Sequence, residues 1–194
     1  MRYDADHKQR TRELVLKEAS KAIRRDGPGK VGVAALMAKA GLTHGGFYAH
    51  FESKDDLVRA AIAYMFDEQY VRLLQRIENE RPEEGLRDFI VRYLSLAHRN
   101  HPEKGCPVAA LSNDVGRMSA VIRKQFDAGM ARMLGVVAGA LRHLSMPSPD
   151  VLAASILAEM VGAIAMSRAL KDEELSEAVL SASRQSILER VGIG

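Results

Sequence analysis

The chain has no tryptophan, a single cysteine and only six prolines in 194 residues. One cysteine excludes an internal disulfide and suits a reducing cytoplasm. β-branched alternation never persists for more than a few residues, so a sheet has little to be built from. An all-α fold is therefore expected. No long apolar run is free of charge. Residues 151–170 come nearest but include Glu159 and Arg168, so no membrane span is expected. The N-terminal stretch MRYDADHKQRTREL is charged throughout and has no apolar h-region, so no signal peptide is expected and the protein reads as cytoplasmic. Ser/Asp catalytic motifs, a phosphate loop and cofactor fingerprints are missing too. Neither catalysis nor a cofactor is expected, and Cys106 with His98 or His101 is the one nucleophile–base candidate.

What is present is enough for a packed core under a soluble surface, with 47% apolar and 27% charged residues. The net charge of +3 is unevenly placed. Residues 1–54 carry 11 Lys/Arg against 6 Asp/Glu, whereas residues 55–194 carry 17 against 19. A basic head on a slightly acidic body is what phosphate neutralisation needs. A solvated basic face would give the same count.

Hydrophobic periodicity places about nine helices. The first covers residues 7–25, with Leu14, Val15, Ala19, Ala22 and Ile23 as its buried stripe and a polar, unstructured segment 1–6 before it. The second covers 33–40 through Val33, Leu36, Met37 and Ala40. Gly41 then suits a left-handed turn, Leu42 is the apolar turn residue, and Thr43 is a good N-cap for a short helix to about residue 51. This is the helix-turn-helix pattern, whose second helix enters the DNA major groove.

A head of roughly 50 residues is marginal alone. It is expected to lean on a helix over residues 53–80, opened by a Ser53–Asp56 capping box. That helix would run about 40 Å through Leu57, Ala61, Met65, Phe66, Leu73 and Ile77. Further helices are expected over residues 82–101, 107–115, 119–144, 150–170 and 173–191. The division is a DNA-binding domain over 1–54 and a regulatory, dimerising helical domain over 55–194. The last two helices, one rich in Ala, Gly and Met, suit a four-helix dimer interface. They would serve equally as ordinary core helices.

Within THGGFYAHF, Phe47 and Phe51 share a face and should bury, leaving Thr43, His44, Tyr48 and His50 on outer faces. Gly45 and Gly46 each cost roughly 1 kcal/mol in a helix. That cost makes sense where backbone must approach DNA or a neighbouring helix closely. Tyr48 and Lys54 are candidate phosphate ligands.

Residues 7 to about 60, and GLTHGGFYAHFESKDDL above all, resemble the DNA-binding head of the TetR/AcrR family of transcriptional repressors. The resemblance implies a homodimer, a palindromic double-stranded DNA operator and a ligand pocket within the C-terminal helices. It puts Thr43, His44, Gly46, Tyr48, His50 and Lys54 at positions that touch DNA, and Gly45 joins these candidates through its cost in a helix. Two departures stand out. Gly32-Val33 replaces a usual Thr or Ser at the start of the first motif helix, and Met37 replaces a usually small residue. In the body, GCPVAAL resembles a motif in a TetR-like group similar to electrophile and oxidant sensors.

Cys106 follows Lys104 at a helix start, and both features lower a thiol pKa. It reads either as a sensor thiol or as a small packing residue. His98 and His101 are three apart, but no Cys or carboxylate pair completes a metal set, so no metal is expected and they read as helix-end caps. Met118, Met130, Met133, Met160 and Met166 suit a flexible pocket as well as they suit a core. The resemblance favours a pocket among residues 82–101, 118–144 and 150–170. Cys106, Phe89, Tyr93, Met130, Met133 and Met160 are its candidate sensor or ligand residues. The expected function is a homodimeric repressor released by a small ligand or by an electrophile at Cys106. A helical protein-binding adaptor and a cysteine-dependent enzyme are the alternatives.

Overall fold

The computed structural model describes the backbone of residues 2–79 and 81–194, and within these all side chains except those of residues 2–5, 44, 76, 78 and 79. Among the described residues there are nine α-helices, three short 3-10 segments and no strand. Helix α1 (Arg2–Asp26) starts earlier than the expected residue 7. Its buried rows are Val15, Ala19 and Ile23 beside Leu16, Ser20 and Arg24, while Leu14 is exposed. The expected stripe was thus partly misplaced. Residues 16, 20 and 24 are four apart and form one ridge, and α1 packs against α3 (Lys54–Asn79).

Helix α2 (Val33–Lys39) buries Leu36 and Met37. Gly41 ends it at φ +72°, with its N–H bonded to Ala38 C=O at 3.0 Å and the Leu42 N–H to Met37 C=O at 2.9 Å. The next segment, His44–Ala49, is a 3-10 helix rather than the expected α-helix to residue 51. Two consecutive glycines weaken α-helical propensity, and the tighter i→i+3 bonds take over, as in Gly46 N–H to Thr43 C=O at 3.1 Å. Phe47 and Phe51 are buried and stacked 5.6 Å apart.

Ser53 Oγ accepts the Asp56 N–H at 3.1 Å, one half of the capping box. The other half is displaced, because the Asp56 carboxylate accepts from Glu52 N–H at 3.3 Å instead of from Ser53. The expected α3 end at residue 80 lies outside the described residues. The expected helix over 82–101 is two helices, α4 (Pro82–Tyr93) and α5 (Leu96–Asn100). Ser95 breaks it by capping α5, accepting the His98 N–H at 3.2 Å, and Arg184 takes the freed Leu94 C=O at 2.8 Å. A 3-10 turn, Pro102–Lys104, leads to α6 (Pro107–Val115).

Helices α7 (Ala120–His143), α8 (Pro149–Ala169) and α9 (Glu173–Val191) complete the body. Helix α3 is central, packing against α1, α4 and α7. Helices α3 and α7 cross so closely that a Cβ on Gly129 would lie 2.2 Å from the Phe66 ring. Helix α8 is long and apolar enough to cross a bilayer by length and composition alone. Its Glu159 is paired with Arg190 at 2.7 Å. Val151, Met166 and Leu175, 72%, 60% and 51% exposed, leave an apolar outer face on α8 and the start of α9.

Candidate functional site

The reading segment is a thin shell held from behind. Phe47 and Phe51 anchor it to the core, and the Arg12 guanidinium of α1 lies 5.0 Å over the Phe51 ring. Tyr48 is 69% exposed, and Thr43 and Gly45 are exposed beside it. The His44 side chain lies outside the described residues. A Cβ on Gly45 would meet nothing within 4 Å, and one on Gly46 only ordinary contacts with Thr43 and Met37, at 3.7 and 3.8 Å. No neighbouring helix demands these glycines. Lys54 Nζ donates to Gly29 C=O at 3.2 Å from an exposed position. His50 does not lie fully outward as expected. It is half-buried, its Nδ1 is buried without a partner, and burial followed by the charges of Lys8 and Arg12 lowers its pKa.

The second candidate is a cavity of about 310 Å³ under α3, α4, α5 and the approach to α6. Phe89, Tyr93 and Cys106 come together in its wall, with Gln69, Arg72, Arg92, His98 and Lys104. Met130, Met133 and Met160 do not line it. Met133 and Met160 are buried in the core and Met130 is packed against it, because α7 and α8 close on each other where a pocket was expected. The cavity therefore sits nearer the head than the resemblance implied.

His98 is the hinge pin of the cavity wall. Its Nδ1 bonds Tyr93 C=O at 2.7 Å and its Nε2 accepts the Cys106 N–H at 3.1 Å, which fixes the proton on Nδ1. Burial, helped by Arg168, lowers its pKa to about 4 despite the bond to Tyr93. The helix-end capping role expected of His98 is met at the end of α4. His101 instead faces Glu103 at 3.4 Å. Among the described residues no group of three or more His, Cys, Asp or Glu is placed to share a metal.

Cys106 corrects a second expectation. Its thiol is buried, and burial pushes the pKa up rather than down. The helix-start amides of Val108 and Ala109 do act in the expected direction, as do Tyr93 and Arg24, but desolvation outweighs them. Tyr93 and Cys106 influence each other's ionisation. Even so, Tyr93 Oη is buried and lacks a partner of hydrogen-bond geometry, so the two are close neighbours and not a formed pair.

Residues 15–61 match the profile of bacterial regulatory proteins of the tetR family, and residues 82–183, more than half the chain, match the tetracyclin repressor-like C-terminal domain. The chain belongs to the TetR family. It is a DNA-binding transcriptional regulator by that membership. No curated protein matches the sequence. Solved structures of the same fold include a TetR-family regulator from Agrobacterium tumefaciens, with TM-score 0.81 and 21% identity over 94% of this chain and 98% of that one. The reduced form of E. coli NemR gives TM-score 0.80 and 19% identity over 92% and 96%. FadR from Bacillus subtilis, in complex with stearoyl-CoA, gives 0.69 and 14% over 92% and 98%.

In this TetR-family chain the cavity reaches the head by two routes, of which only α3 was foreseen. Gln69 and Arg72 of α3 line the cavity, while the N-terminus of α3 carries the head's cap. The other route is the packing of Pro102–Lys104 against α1. There Arg24 of α1 is buried, donating to Glu68 at 3.1 Å and Met65 C=O at 3.4 Å, with its Nε unpartnered. The ridge Leu16–Ser20–Arg24 was the available sequence signal for it.

Proposed function

We propose that the protein binds a palindromic DNA operator as a homodimer and releases it when a small ligand fills the cavity beside Cys106. The open, outward backbone at Gly45, beside the exposed Thr43 and Tyr48, carries this reading. It supports DNA contact by Thr43, His44, Gly45, Gly46 and Tyr48, with Lys54 on phosphate and His50 shaping the segment from behind. The division at residue 54 has the same support, since the cap of α3 joins a basic head to the body. The apolar outer face of α8 and α9 supports pairing with a second copy there. Such a dimer would set its two reading segments about 34 Å apart, one turn of DNA. Ligand filling would move Pro102–Lys104 against α1 and shift α3, altering that spacing and coupling the two sites.

A band-shift titration with the DNA flanking the protein's own coding region tests the core of this. A salt-sensitive, sequence-selective shift is expected. Its absence would leave a helical adaptor as the better reading. A second trigger is modification of Cys106, favoured by its place in the cavity wall. Burial keeps the thiol protonated at rest, so the reagent must enter the cavity first. Cys106→Ser should keep operator affinity and lose release by oxidant or electrophile. Unchanged release would remove the thiol from the mechanism, and turnover beyond one equivalent of thiol reagent per chain would point to an enzyme.

A further inference from the structure

The cavity is chemically lopsided. Three cationic side chains, Arg72, Arg92 and Lys104, line it, and none of its lining residues is an aspartate or glutamate. Arg92 is paired with Asp88 at 2.6 Å and Arg72 reaches Glu68 at 3.6 Å, but both carboxylates stand outside the lining. Apolar and aromatic side chains make up much of the rest of the lining, beside Gln69, His98 and His101. Phe89 and Tyr93 meet edge to face at 5.8 Å, with Ala97 and the protonated Cys106 beside them.

At the inner end Tyr93, only 6% exposed, carries a hydroxyl with no hydrogen-bond partner. A buried polar group left unpaired costs about 1–3 kcal/mol, which a ligand's acceptor atom would recover. His98 is no such group, because both its ring nitrogens are engaged by backbone. The volume lies at the small end of the ~300–1,000 Å³ typical of ligand sites. It fits one ring or a short chain, not a long acyl group.

We propose that this cavity binds a small organic carboxylate: the carboxylate among Arg72, Arg92 and Lys104, a compact apolar body along Phe89 and Tyr93, and an acceptor atom on the Tyr93 hydroxyl. This deepens the ligand-release reading and rests on it only for its consequence, not for the binding itself. Arginine forks suit carboxylates because two parallel N–H donors match two oxygens. Cys106 lines the same cavity, and a negative charge brought near a thiol opposes thiolate formation. Ligand and thiol reagent should therefore compete.

The test is isothermal titration calorimetry on the full chain without DNA, using benzoate, 4-hydroxybenzoate, cinnamate and hexanoate against their amides. At least one carboxylate should bind tenfold or more tightly than its amide. Arg72→Gln combined with Lys104→Gln should weaken it at least tenfold, and Tyr93→Phe several-fold for 4-hydroxybenzoate. Arg72 and Lys104 are exposed and Tyr93→Phe is nearly isosteric, so folding, checked by circular dichroism, should hold. The bound carboxylate should slow alkylation of Cys106 by iodoacetamide.

Failure of all four carboxylates to bind, equal binding of an amide, or binding indifferent to the double variant would each overturn the proposal. A carboxylate that binds but leaves the DNA shift unchanged would sustain this site and defeat ligand release. An amide that binds equally and releases DNA would do the reverse.

Discussion

Two pairs of glycines, one in the head and one in the body, stand in opposite surroundings. In the reading segment Gly45 stands where a side chain would meet nothing of the protein, and at Gly46 one would make only ordinary contacts. In the body Gly105 and Gly129 stand where one cannot fit, 2.7 Å from His98 Nε2 and 2.2 Å from the Phe66 ring. Gly105 and Gly129 answer to internal packing, so their loss should appear as lost stability. Gly45 has no such internal demand, so under the proposed DNA contact its loss should appear as lost binding.

The largest expected break is Gly129→Ala. The methyl would collide with Phe66 at the α3–α7 crossing, and overpacking of that kind costs about 3 kcal/mol. A fall in Tm of roughly 10 °C should follow. A variant as stable as the parent would show that α3 and α7 are not locked together.

Next comes pH. His98 has a folded pKa of about 4, below the ~6.5 of an unfolded histidine. Its contribution is complete above pH ~6.5 and is lost as pH falls toward 4, about 3 kcal/mol over the whole window. Protonation would remove the lone pair that accepts the Cys106 N–H. Urea midpoints at pH 7 and 4.5 should therefore converge for parent and His98→Gln as the pH drops. A constant gap would mean that His98 does not titrate in this window.

Glu68→Gln should cost less, about 2 kcal/mol, below the 3–5 of a fully buried pair, since Glu68 is a quarter exposed. It leaves the Arg24 charge uncompensated beneath α1 and sharpens the comparison by loosening the head from the body. Urea denaturation checks it. The operator should then need more, not less, of the inducer-free protein for the same shift.

Much of this was legible from periodicity and caps. Leu57, Ala61, Met65, Phe66 and Leu73 bury as the spacing required, and Gly41 closes α2 at positive φ. What escaped was set by tertiary competition. Ser95 splits the expected long helix because its cap bond and Arg184 together satisfy the broken ends. Helix α5 is then clasped to α8, with Arg99 donating to Ser167 and Leu170 carbonyls and Arg168 to those of His98 and Arg99. No local pattern announces such a clasp. Cys106 shows the same limit, since a helix start and a nearby lysine argue for a low thiol pKa until burial is known. The Met-lined pocket failed because flexible thioethers suit a core as well as a cavity.

The smallest structural change carries the sharpest test. Gly45→Ala adds one methyl into open space, so Tm should stay within about a degree. Fluorescence anisotropy with the DNA flanking the coding region, on the same preparation, should show operator affinity reduced at least tenfold. If the variant binds that DNA as tightly as the parent, or if neither binds, the outward backbone at Gly45 is not a DNA-contacting surface.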